Sequence, residues 1–136
     1  MERVLGRYSG HVYALLRIVA GFLFLLHGTQ KLFNLPPGQG GGEVSGLPLI
    51  AGVIELVGGL MIMLGLFASI AAFIASGTMA VAYFMVHQPM GALPIQNRGE
   101  LAALYSFVFL YIAARGSGPW SIDALIRGRS TLDGAE

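Results

Sequence analysis

The sequence predicts an all-α membrane protein: one domain over residues 1–136, built as a bundle of four transmembrane helices with both termini cytoplasmic. Three observations carry that expectation. Hydrophobic residues make up 55% of the chain and charged residues only 11%, with a mean hydropathy of +0.72, which leaves too little polar surface to coat a soluble globule of this size. From Leu56 to Val86 there is no charged side chain. As a single helix that run would reach roughly 46 Å against a hydrocarbon core of about 30 Å, so it must reverse once. Finally, segments rich in proline and glycine separate two further apolar stretches, one on each side of this run.

The elements follow in order. Residues 1–10 form a short basic tail. The first helix is expected over 11–33, with Arg17 low in it and His27, Gln30 and Lys31 near its far end. Arg3 and Arg7 ahead of an apolar segment resemble a signal peptide. However, Arg17 lies inside the segment and no small-x-small cleavage site follows before Lys31, so it reads as a retained span. Pro36, Pro37 and the glycine-rich tract Gly38–Gly42 make a loop; no Lys-Ser pair follows the tract as a phosphate loop requires. The second helix is expected over 47–66 and the third over 68–87, joined by a hairpin at Gly65–Ser69. A loop holding Pro89 and Pro94 leads to the fourth helix, 99–115, which Gly116, Gly118 and Pro119 stop. Beyond Trp120 the tail places Ile122, Leu125 and Ile126 on one side.

Orientation follows from the arginines. Arg3 and Arg7 precede the first span, and Arg115, Arg127 and Arg129 follow the last, whereas only Lys31 and Arg98 flank the spans on the opposite side. By the excess of basic residues on the inner face, both termini are cytoplasmic.

Each helix carries one marked face. Arg17, Gly21, Phe24, Gly28 and Lys31 recur at spacings of four, three, four and three on the first. Ala68, Ala72, Ser76 and Ala80 give the third a small-residue seam that admits a neighbouring backbone. Glu100, Leu104, Phe107 and Tyr111 share a face of the fourth.

The candidate functional residues are the polar ones within these spans. A charge in hydrocarbon costs about 2.5–3.5 kcal/mol by insertion scales, so such groups turn inward and find partners. Lys31 and Glu100 both fall at the outer ends of their helices and are expected to form a structural pair. Glu55 lies eight residues, roughly 12 Å, inside the second helix, at the depth of Leu23 and Phe24 on the first, between Arg17 below and His27 above. Hydrocarbon favours the neutral form of a carboxylic acid, which suits such a group to taking a proton or a hydrogen bond from a lipid-soluble ligand such as a quinone. The candidate pocket is therefore Arg17, His27, Glu55, Tyr83 and Tyr111, with Glu55 and His27 as the proton or ligand site. The opposing reading is structural: Arg17, Lys31, Glu55 and Glu100 sum to zero charge and could simply lock the helices in register.

Other chemistries are poorly supplied. There is no cysteine, which excludes a disulfide framework, thiol exchange by this chain, cysteine-ligated iron–sulfur clusters and cysteine zinc sites. His11, His27 and His87 are the only histidines, and His11 lies at the opposite end from the other two; His27 and His87 with a carboxylate could in principle hold one ion, but hydrogen-bonded interior histidines are far commoner, so no metal site is expected. A net charge of +1 with no basic run gives nucleic acid nothing to bind. Solute transport is disfavoured because no pair of interrupted helices appears.

Taken in order, Arg17-Ile-Val-Ala-Gly21-Phe, His27-Gly28, Lys31-Leu32, Glu55-Leu-Val-Gly58-Gly59, Leu64-Gly65-Leu66, Asn97-Arg-Gly99-Glu100 and Gly116-Ser-Gly118-Pro-Trp-Ser121-Ile-Asp123 resemble the DoxX family of small four-span bacterial membrane proteins. The likeness covers about residues 12–126. It implies a multi-pass protein of the bacterial inner membrane, associated with quinone-linked oxidoreductase activity, as an accessory subunit beside a redox partner protein. The residues themselves offer no covalent or metal-ligated attachment for a cofactor, so the one expected is a quinone. Distant relatives suggest a second class of role, a non-enzymatic scaffold or assembly factor for a partner membrane complex. A homo-oligomer formed through an exposed glycine or alanine seam is compatible with either.

Overall fold

The computed structural model describes residues 1–38 and 44–133, and side chains as far as residue 128. The glycine tract beyond Gly38 and the side chain of Arg129 lie outside the described residues. Every regular element among the described residues is helical. After a helical lead-in at Glu2–Leu5 and Gly6–Tyr8, the main helices are α1 (Ser9–Phe33), α2 (Leu47–Leu64), α3 (Ala68–Ala82), α4 (Glu100–Arg115) and α5 (Ile122–Asp133). The segments Glu2–Phe33, Leu47–Leu64 and Ala68–Met90 are long and apolar enough to cross a membrane; α4 has 16 residues.

The charge-free run reverses where its glycine permits. Helix α2 ends at Leu64, two residues earlier than expected, because Gly65 takes a left-handed conformation at φ 68°. Phe67, also left-handed at φ 47°, closes the turn into α3. At its other end α3 passes into a wide helical turn over Tyr83–His87 rather than continuing regularly.

Helix α1 packs most closely on α2 and α3 on α4, with α2 against α3 linking the two pairs. The first pair is a glycine seam. A Cβ on Gly21 would lie 2.5 Å from the Met63 nitrogen, and one on Gly59 2.6 Å from the Leu25 nitrogen. One on Gly28 would strike the Leu56 nitrogen and lie 2.8 Å from its Cα. Without side chains at these points the two backbones touch, the close approach that membrane helices use when water cannot drive them together. Gly28→Ala should therefore force the pair apart and lower stability by about 1–3 kcal/mol, read as a fall in the thermal midpoint of the detergent-solubilised protein; an unchanged midpoint would refute the seam. In the second pair Ser76 Oγ donates to the Ser106 carbonyl at 2.7 Å, and Ser106 Oγ returns a bond to the Ser76 carbonyl at 3.2 Å. Ala68, Ala72 and Ser76 of the expected seam are buried there.

Helix α4 corrects one expectation. Its buried side is Ala102, Tyr105, Phe109 and Ile112, whereas Leu104, Phe107 and Tyr111 point outward and Glu100 is exposed. The inward face is the one whose rings fit the bundle: Phe24 of α1 meets Phe109 at 4.7 Å and Tyr105 at 5.9 Å between centroids. Phe73, Phe84 and Phe107 are each about two-thirds exposed or more, at 66%, 66% and 72%, and so much outward aromatic surface suits lipid and not water.

Candidate functional site

The glycine seam determines what Glu55 meets. Gly21 faces Met63, Gly59 faces Leu25 and Gly28 faces Leu56, one antiparallel register throughout. It sets Lys31 level with Val53, two residues or about 3 Å from Glu55 along the axis. Helical side chains lean toward the N-terminus of their own helix. Lys31 on α1 and Glu55 on the antiparallel α2 therefore lean toward one another. Lys31 Nζ donates to Glu55 Oε1 at 2.6 Å, with 3% of the Glu55 side chain exposed and 39% of that of Lys31. The expected Lys31–Glu100 pair is thus corrected: depth counted from the expected helix ends set Glu55 level with Leu23 and Phe24, whereas the seam's register sets it level with Thr29, within reach of Lys31.

One oxygen of the carboxylate remains. Glu55 Oε2 is buried and has no hydrogen-bond partner among the described residues. Glu55 lines a pocket of about 240 Å³ together with His27, Lys31, His87, Arg98 and Tyr105, and with Phe24, Met79, Ala82, Leu101 and Ala102 as apolar walls. His27 and Tyr105 meet edge to face at 6.2 Å between centroids. His87 Nδ1 sits 3.1 Å from the Asn97 carbonyl, to which it can only donate, and this leaves Nε2 for a second partner.

Arg98 reaches the pocket from a turn with a demanding backbone. It is left-handed at φ 59°, a conformation that costs a non-glycine residue free energy and persists where its surroundings impose it. Asn97, 1% exposed, does so: its Nδ2 donates to the Gly91 carbonyl at 3.0 Å and to the Tyr83 hydroxyl at 3.3 Å, and its Oδ1 accepts from the Gly99 nitrogen at 2.8 Å. A Cβ on Gly99 would lie 2.6 Å from the Tyr83 ring. Tyr83 therefore holds this turn and does not line the pocket, a second correction.

At the opposite end of the bundle lies a polar knot. Arg17 is fully buried and donates to the carbonyls of Ser117, of Pro119 at 3.1 Å and of Trp120 at 2.6 Å. Tyr13 donates to the Gly116 carbonyl. Asp123 accepts from Ser117 Oγ at 2.5 Å and from the Phe67 nitrogen at 3.0 Å, and its own nitrogen donates to the Gly65 carbonyl at 3.1 Å. Arg17 and Tyr111 were expected beside Glu55; both belong here. Tyr111 packs edge-on against Tyr13 at 5.7 Å and accepts from Arg115 at 3.0 Å. The physical reason is that loop carbonyls, unpaired by any helix, accept from a guanidinium as a carboxylate would, here from Nη1 and Nη2, while the buried Nε has no partner among the described residues.

Comparison with known proteins identifies a family for the chain. The DoxX family model matches residues 12–88, and an uncharacterised protein of Haemophilus influenzae is 47% identical over 125 residues, covering 88% of this chain and 93% of that protein. The chain belongs to the DoxX family. An uncharacterised membrane protein of Mycobacterium tuberculosis is 31% identical over 140 residues, 88% of this chain and 84% of that protein. No solved structure matches. The stretch matched by the DoxX model contains His27, Lys31, Glu55 and His87, and ends before Arg98 and Tyr105. Sequence reasoning missed these last two as pocket residues. A signal existed for Tyr105, which lies on the Ala102-Tyr105-Phe109 face at spacings of three and four. For Arg98 there was none, because its aim depends on the turn that Asn97 ties.

Proposed function

We propose that this DoxX protein is a quinone-binding accessory subunit of the bacterial inner membrane, in which the Glu55 pocket receives the head of the quinone on behalf of a redox partner protein. The observation that carries the reading is the buried Glu55 Oε2, without a partner among the described residues, on a residue that lines a pocket also holding donors. A quinone offers carbonyl acceptors and a quinol offers hydroxyl donors, so a site serving both must supply each kind. Lys31, Arg98 and the Tyr105 hydroxyl can donate, while Glu55 Oε2 and a neutral histidine nitrogen can accept. The size supports it, since a cavity of about 150 Å³ accommodates benzene and this one, about 240 Å³, has room for a substituted ring.

In this reading α4 is the fourth span. Its 16 residues reach about 24 Å, and the Pro94–Asn97 turn and the knot at Gly116–Asp123 bracket it at the two interfaces. Both termini then lie in the cytoplasm, and the pocket opens toward the outer leaflet.

The test is extraction of quinone from protein purified in mild detergent. Loss of one charge-assisted hydrogen bond, about 1.5–3 kcal/mol, corresponds to about tenfold or more in affinity. Glu55→Gln should therefore retain about a tenth or less of the quinone that the unaltered protein retains. Equal retention, or no quinone with either protein, would end the proposal. A second reading, a scaffold without a ligand, is favoured by the Lys31–Glu55 pair itself, which bridges α1 and α2 as a lock would.

A further inference from the structure

A second cavity adjoins the pocket. It is a groove of about 650 Å³ between the start of α2 and the end of α3, walled by Leu47, Ile50, Ala51, Ile54, Val81 and Met85 among others. Lys31, Ala82 and His87 line both spaces, so the polar pocket and the apolar groove meet at these three side chains. Away from that junction the groove's hydroxyl is spent, because Thr78 Oγ1 donates to the Ile74 carbonyl at 2.8 Å. Gly77 also lines the groove, and a Cβ there would meet nothing within 4 Å. It is a bare position in the middle of a helix where no neighbouring backbone requires one, unlike Gly21, Gly28 and Gly59.

We propose that this groove holds the hydrocarbon tail of the same molecule whose head occupies the Glu55 pocket, with Lys31 and His87 flanking the passage between them. The inference rests on the quinone reading above and adds the shape of the ligand: a ring carrying a long, unbranched or isoprenoid tail that leaves past Ala82. Two features single out this occupant. The groove shares Lys31, Ala82 and His87 with the pocket, and away from them its one polar side chain, Thr78, is already hydrogen-bonded within its own helix. A tail gains little free energy by exchanging lipid for an equally apolar wall. The groove's effect is therefore steric: it lets the head reach Glu55 without lifting the tail out of apolar surroundings. The unoccupied space over Gly77 is the room the tail needs.

The experiment compares two probes, menadione, which has no tail, and menaquinone-4, which has one, bound to the full chain in lipid nanodiscs. Gly77→Phe fills the groove from an open position, and Ile70→Phe places the same ring at an outward position of the same helix, outside both cavities, as a folding control. Gly77→Phe should weaken menaquinone-4 at least tenfold while menadione stays within twofold, and Ile70→Phe should leave both unchanged. If Gly77→Phe binds menaquinone-4 as the unaltered protein does, the groove belongs to a bilayer acyl chain or to nothing, and the tail inference fails while the head site stands. Equal weakening of both probes overturns it too, since the effect is then not on the tail. If the unaltered protein binds neither probe, the quinone reading itself has failed.

Discussion

Replacing Arg17 with methionine should lower the stability of the folded protein by about 3–5 kcal/mol, the range seen when one member of a buried charged network is removed. Arg17 is fully buried, and the carbonyls of Ser117, Pro119 and Trp120 accept from it. Those carbonyls belong to an irregular segment between α4 and α5, so no helical partner replaces the lost donors, and each becomes a desolvated acceptor. Methionine keeps much of the volume, which separates the loss of donors from the loss of packing. Lysine should rescue only in part, because one ammonium cannot hold three carbonyls spread as a guanidinium fork holds them. The chain contains a single tryptophan, Trp120, whose own carbonyl is one of the acceptors. Its emission therefore reports the knot while circular dichroism reports the helices. In Arg17→Met the emission should change at a lower temperature than the helical signal; a coincident, unshifted melt would show that the knot does not hold the tail.

This knot also shows what could be read from the residues and what could not. The hairpin at Gly65 was legible because length and hydropathy alone forbid one span from Leu56 to Val86. The stripe of Gly21 and Gly28 was legible as a helix face, since spacing is enough to place residues on one side. Partners were harder. Arg17 could be seen to need acceptors, but a sequence presents carboxylates by name and backbone carbonyls anonymously, so Glu55 and Tyr111 were the visible candidates. The motif from Gly116 to Asp123 was recognisable as a pattern, yet its purpose depends on four carbonyls converging on Tyr13 and Arg17. Lys31 was assigned to Glu100 for a related reason: depth counted from expected helix ends does not give the register of two packed helices, and the glycine contacts that set it place Glu55 level with Thr29 and not with Leu23 and Phe24. The outward face of α4 was mistaken because in a membrane the larger apolar side chains are equally at home outside the bundle, so bulk does not tell inside from outside.

The Lys31–Glu55 pair distinguishes the two functional readings, through three variants and two measurements. Lys31→Met strands a carboxylate that is 2% exposed and already has one oxygen without a partner. Breaking a buried pair this way costs about 3–5 kcal/mol, but the two-fifths exposure of Lys31 admits some screening, so about 2–3 kcal/mol is the expected loss. Glu55→Gln should cost about 1 kcal/mol or less: the amide oxygen still accepts from Lys31, and the lysine is long enough to carry its charge toward the interface. The double variant removes both charges and should melt within about 1 kcal/mol of the unaltered protein, since replacing both members of a buried pair is often close to neutral. Stability should thus be restored in the double variant, and the non-additivity measures the pair itself. If the pair is only a lock, whatever the protein supports in the cell returns with that stability. If Glu55 is a ligand group, the double variant is folded and abundant yet retains about a tenth or less of the quinone, as Glu55→Gln alone does. The decisive case is therefore a stable protein lacking the carboxylate: full function there removes the pocket from the account, and loss of ligand at normal abundance removes the lock.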